Sequence, residues 1–280
     1  MAATTAQATY DAYMSNVIRK FGFARRAIGR FMVLAHHPTW SEKKVVIKVQ
    51  EKGFKYTTQC KEIRNEIDRL LTVDQLSAHP NISKAVESFE TSTHIGLVLE
   101  YLPGGDVLTH ITVAGVLSMA AARIFTKHVC SALDFVHSKG LYHGDVKPDN
   151  VMLRSSSEPE ENWEFVLVDW EFCSPLSEWK RCGSIFWAAP ELLDNDLGAT
   201  PASDMWSFGA TLFACVDGRI PFGEGKTCTE KAQAIHAGTL PLRQKWPTPL
   251  KMLLVSCLAN SKLERPTARE VMDGPWLLNQ

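Results

Sequence analysis

The sequence predicts an α+β fold in two parts: a small β-rich part carrying one helix, then a larger and mostly helical part. Three observations predict it. Before about residue 100 the apolar residues gather in short β-branched runs bounded by turn residues. A turn signal, Pro103-Gly104-Gly105, then breaks the pattern. Beyond it apolar residues recur at helical spacing.

Lys44-Val45-Val46-Ile47-Lys48-Val49 and Gly96-Leu97-Val98-Leu99-Glu100 read as strands, with a helix from Lys61 to Leu71 between them. Ser118 to Ser138 reads as a helix because Ile124, Val129, Leu133 and Val136 lie three to five residues apart. Phe165-Val166-Leu167-Val168 is a short apolar strand. The polar stretch at 155–162, SSSEPEEN, joins two strands as a solvated hairpin tip. No internal repeat is present.

At 280 residues and 45% hydrophobic, the chain is long enough to bury a large core. With 30 Lys+Arg against 31 Asp+Glu there is no basic field to recruit nucleic acid or an anionic membrane. Seven scattered cysteines without a CxxC pair argue against a disulfide framework or a zinc site and for a reducing, intracellular setting, cytoplasmic or nuclear. The first residues lack the apolar core of a signal peptide, and no run is long enough to span a bilayer.

The most telling stretch is His143 to Asn150, HGDVKPDN, followed nineteen residues after Asn150 by Asp169 at the end of an apolar run. These are residues that phosphoryl transfer from a metal nucleotide needs. Asp145 would accept or orient the proton of an attacking hydroxyl, Lys147 would neutralise charge on the moving phosphoryl, and Asn150 and Asp169 would hold metal. The string resembles the catalytic loop of eukaryotic protein kinases, HRDxKPxN.

Further stretches resemble that family in the same order over roughly residues 20 to 278. Val45-Val46-Ile47-Lys48 is similar to the VAIK strand, which makes Lys48 the phosphate lysine and Glu66 its helix partner, preferred by spacing over Glu62. The segment from Leu97 to Asp106 is similar to the hinge between lobes. The resemblance implies that adenine bonds the backbone at Glu100 and Leu102, that Leu99 is the gatekeeper, and that Val46, Phe31 and Met152 are apolar walls. Cys182-Gly183-Ser184 and Ala189-Pro190-Glu191 resemble the substrate-positioning loop, with Ser184 bonding Asp145 and Lys147. The segment from Ser203 to Gly209, with Asp204, resembles the buried helix that ties down the catalytic loop, and Arg265 the partner of Glu191.

The resemblance thus implies a bilobal kinase fold: a leader over 1–19, then a kinase domain over 20–280 with its first lobe to about 99, a hinge at 100–104 and its second lobe from 105. It implies a serine/threonine protein kinase using ATP with Mg²⁺ or Mn²⁺, acting on protein substrates, with no nucleic-acid or membrane partner. Asp106 and Asp149 stand where family members hold an arginine upstream of the target serine; Asp106 would alternatively touch the ribose.

Departures from the family pattern support an alternative, a pseudokinase that binds nucleotide or serves as a scaffold. Of the glycine-rich loop only Gly29 remains, with Ala24 and Arg26 at the other glycine positions. DFG reads Asp169-Trp170-Glu171. Gly144 replaces the arginine that pairs with a phosphorylated activation segment, and Lys180 stands at the usual acceptor.

Overall fold

The computed structural model describes residues 26–29, 32–36, 44–52, 57–72, 75–157, 159–176, 184–194, 198–223 and 227–278. Two compact units emerge, Met1–Gln75 with Lys84–Tyr101, and Leu76–Ser83 with Leu102–Gln280. Leu76–Ser83, which a boundary near residue 99 would give to the first part, belongs to the second unit. The leader, Ala24, Phe31 and the 180–183 stretch lie outside the described residues, as does the side chain of Arg26.

The first unit is a five-stranded antiparallel sheet in the order β1-β2-β3-β5-β4. Its strands are β1 (Arg26–Gly29), β2 (Met32–His36), β3 (Lys44–Glu51), β4 (Ala85–Glu90) and β5 (His94–Glu100). Period-two alternation sorts β3. Val45, Ile47 and Val49 face a core with Ala35 and Val98, so Val46 and Lys48 share the opposite face. The antiparallel register sets Val46 opposite Leu34 and Leu99, and Lys48 opposite Met32 and Leu97.

Helix α1 (Thr57–Ile67) begins earlier than its apolar pattern suggested and runs into a wider π-helical turn over Asp68–Thr72. Thr72 Oγ1 donates to the Asp68 carbonyl at 3.0 Å, a side-chain bond of the kind that competes with the regular helical ladder.

The second unit is built on helices. In chain order they are α2 (Val107–Val113), α3 (Met119–Ser138), α4 (Pro190–Asp194), α5 (Pro201–Asp217), α6 (Cys228–Ala237), α7 (Thr248–Cys257), α8 (Ala268–Met272) and α9 (Pro275–Leu278). The start of α3 is fixed by Ser118, whose hydroxyl accepts from Ala121 N. Helix α5 is more firmly delimited, by a Thr200–Ser203 capping box, Pro201 in its first turn and left-handed Gly218 at its end. It is buried along almost its whole length. A Cβ on Gly209 would lie 2.6 Å from Cys257 Cβ, so glycine is what lets α5 and α7 approach this closely.

Two small ladders hold the loops between helices. β6 (Leu141–Tyr142) pairs with β9 (Ser174–Pro175), and β7 (Val151–Leu153) pairs with β8 (Phe165–Leu167). The 155–162 tip is solvated as its composition suggested, with Ser156, Ser157, Pro159, Glu161 and Asn162 exposed, and contacts to the rest of the unit form at its end. Ser118 Oγ donates to Glu160, and Trp163 is buried with its ring edge-on to His110 at 4.9 Å. Five of the six described cysteines are buried free thiols and Cys228 is exposed; burial pushes the Cys257 thiol up to about 12. No helix among the described residues is long and apolar enough to cross a membrane.

Arg265 has a side chain with no exposed surface. Its guanidinium donates to both carboxylate oxygens of Glu191 at 2.8 and 2.7 Å and to three backbone carbonyls, and lies 5.0 Å from the centre of the Trp206 ring. Truncating one partner of so buried a pair strands the other, so Arg265→Ala should cost on the order of 3–5 kcal/mol, read by urea unfolding. A loss below about 1 kcal/mol would mean that the pair is solvated.

Candidate active site

In the first unit, Lys48 Nζ lies 3.0 Å from each carboxylate oxygen of Glu66. Glu66 is buried and Lys48 about one-fifth exposed. Their attraction is therefore only partly screened. Of the two glutamates weighed on α1, the lysine bonds Glu66. Val46 is half-buried and Leu99 buried. Glu100 is tied to the backbone of Lys84: its N–H donates to Lys84 O at 2.9 Å and its Oε1 accepts from Lys84 N at 3.0 Å.

The second unit gathers the rest. The 143–150 loop lies between β6 and β7, and Asp169 follows two residues after β8. Asp145 is buried. Its Oδ2 accepts from Lys147 Nζ at 2.6 Å and from Asn150 Nδ2 at 3.0 Å, and its backbone carbonyl accepts a second bond from Asn150 Nδ2 at 2.9 Å. Lys147 Nζ also donates to Ser184 Oγ at 3.0 Å. Ser184 thus bonds the lysine but not, as the sequence suggested, the aspartate as well. The Asn150 amide group spends its donors on Asp145 and leaves its oxygen as the acceptor for a cation.

Asp204 anchors the loop from below. Its Oδ2 accepts from His143 N at 2.8 Å and from His137 Nε2 at 2.9 Å, and its Oδ1 accepts from Gly144 N at 2.9 Å. His143 links the two halves of the constellation: Nδ1 accepts from Asp145 N at 3.2 Å while Nε2 donates to Val168 O at 3.1 Å, one residue before Asp169. Those two bonds require the neutral Nε2–H tautomer. Asp169 is one of two non-glycine residues with positive φ, at 68°, among the described residues. Such torsions cost energy and cluster at functional sites.

Gly144 has φ 83°, and a Cβ there would meet Phe172 Cβ at 3.2 Å and Tyr142 at 3.4 Å. Glycine therefore suits this position on backbone grounds. Sequence reasoning, which weighed only the missing arginine, did not find that.

It also missed Ser83. Trp170 is fully buried, edge-on to His143 with ring centres 4.6 Å apart, and its Nε1–H needs an acceptor, which Ser83 Oγ supplies at 3.2 Å. A tryptophan in the DFG phenylalanine position was the signal that such an acceptor must exist.

Asp106 and Asp149 differ. Asp106 caps α2, its oxygens accepting from Thr109 N at 2.7 Å and Thr109 Oγ1 at 2.9 Å; Asp149 is exposed on a 3₁₀ turn, Pro148–Asn150. Met152 sits on β7, bridged to Asp106. Gly29 ends β1, opposite Met32 of β2 and after a register shift from Ala27.

The family model described as the protein kinase domain matches residues 29–277, and the chain belongs to that family. It is 32% identical over 277 residues to the Dictyostelium discoideum protein named "Probable serine/threonine-protein kinase MARK-A", covering 98% of this chain and 25% of that protein. It is 29% identical over 250 residues to "Protein kinase kin1" of Schizosaccharomyces pombe, covering 86% and 27%. Against "Maternal embryonic leucine zipper kinase" of Danio rerio it is 28% identical over 279 residues, covering 96% and 38%. The chain thus spans between about a quarter and two fifths of the length of these relatives.

Burial lowers the pKa of His143 below its ordinary value, against the opposing pull of Asp204, Asp145 and Asp169, and burial lowers those of His79 and His128 too. The unfolded chain takes up protons as pH falls through about 6.5, whereas these folded histidines resist protonation until lower pH. Stability should therefore fall between pH 7.5 and 5.5, read as a smaller unfolding free energy in urea. A rise over that interval would contradict the neutral assignment.

Proposed function

We propose that this chain is a serine/threonine protein kinase domain, spanning about residues 20–280, that transfers the γ-phosphoryl group of ATP to a protein hydroxyl. The observation that carries the reading is the cluster of Asp145, Lys147, Asn150 and Ser184 around one buried carboxylate. Asp145 orients the substrate hydroxyl and takes its proton as the oxygen bonds the γ-phosphorus and the bond from that phosphorus to the bridging oxygen breaks, with ADP as the leaving group. Lys147, shared between Asp145 and Ser184, puts a positive charge where negative charge moves. Lys48, fixed by Glu66, is preorganised to hold phosphate oxygens.

ATP would be taken by Lys48, Val46, Leu99, Glu100, Leu102 and Met152, with Gly29 and Phe31 from the loop. Asn150 and Asp169 would hold a divalent metal, Mg²⁺ or Mn²⁺, through their side-chain oxygens, and it would neutralise phosphate charge. The metal nucleotide supplies the activated phosphoryl group. For the substrate, exposed Asp149 is better free to meet an upstream arginine than Asp106, which is engaged as a helix cap. A moderate preference for one arginine follows. The buried free thiols support an intracellular setting.

The test is transfer of label from ATP to a generic basic protein. Lys48→Met, Asp145→Asn and Asp169→Asn should each lower the rate by about a hundredfold or more, with Asp145→Asn keeping nucleotide binding. Wild-type turnover in Asp145→Asn would contradict the assignment. Nucleotide binding without any transfer by the native sequence would favour the pseudokinase.

A further inference from the structure

The second unit contains a cavity of about 620 Å³ with no wall from the 143–150 loop, a volume in the range of small-molecule sites. Its walls come from the end of α3, the start of α5 and the segment 262–269. Pro201, Ala202 and Pro266, all partly exposed, supply apolar surface, and exposed Lys262 lines the cavity as well.

The charges on these walls nearly cancel, apart from one. Arg269 bonds Asp134, and Arg265 is consumed by Glu191. Lys262 is exposed and has no ion-pair partner among the described residues. One uncompensated cation over an apolar floor matches a ligand with one negative charge and an apolar body.

Two wall residues reach the machinery described above. His137 bonds Asp204 Oδ2, the oxygen that also holds His143 N, and Arg265 holds Glu191. We propose that the cavity is an effector site for a small organic monoanion of the aryl-alkyl carboxylate kind, and that filling it firms the hold of Asp204 on the 143–144 backbone. Binding stands independently of the kinase reading; only its effect on turnover rests on that reading.

The probe is 4-phenylbutyrate, titrated calorimetrically into the full chain without nucleotide, with 4-phenylbutan-1-ol and inorganic phosphate as comparisons. Saturable one-to-one binding of the carboxylate is expected, weakened roughly fivefold or more by Lys262→Glu and retained in Lys262→Arg. Amide exchange at His143 and Gly144 should slow when it is bound. Absence of binding, equal binding of the alcohol or of phosphate, or indifference to Lys262→Glu would overturn the site. Unchanged exchange at saturation would overturn the effector role. A chain that binds the carboxylate yet transfers no phosphoryl group fails as a kinase without touching this inference.

Discussion

The carboxylate of Asp204 is the constraint on which the second unit's chemistry depends. It is buried at the start of a helix whose residues are almost all buried, so it can move little. Two of the three donors it accepts from are consecutive backbone amides, those of His143 and Gly144, and together they fix the loop that presents Asp145. Bonds to an ionised acceptor are worth about twice those between neutral groups. A loop of eight residues with two short ladders at its ends would otherwise pay conformational entropy to present one geometry. His143 extends the hold, since its ring bonds Asp145 N on one side and Val168 O on the other. Through it Asp145 and the segment leading to Asp169 are positioned by a single neutral imidazole.

Much of this was legible in the sequence. The division into a β-rich and a helical part followed from the change of period near residue 100, and the 118–138 helix was found almost to the residue from its apolar spacing. The pairing of Lys48 with Glu66 followed from the resemblance to the kinase family, spacing serving only to choose Glu66 over Glu62. What stayed hidden depends on torsions and long-range partners. No local pattern announces a left-handed φ at Asp169 or at Gly144, and none shows that Ser83 accepts from Trp170 across 87 residues. The π-helical turn after Glu66 was read as ordinary helix because Leu70 and Leu71 fit a 3.6-residue period as well as a wider one.

The departures from the family pattern acquire physical content at two positions. Trp170 is accommodated by an added hydrogen bond rather than merely tolerated for its bulk. Gly144 removes a side chain where backbone and neighbours leave little room, which separates the geometry of the loop from any contact a longer residue would make there.

The most direct measurement is amide hydrogen exchange on Asp204→Asn. An asparagine keeps the shape but brings one neutral oxygen and an NH₂ to a place that needs only acceptors. The account predicts exchange at His143 and Gly144 faster by roughly tenfold or more, with the amides of β3 and β5 unchanged. Native protection at those two amides would contradict it.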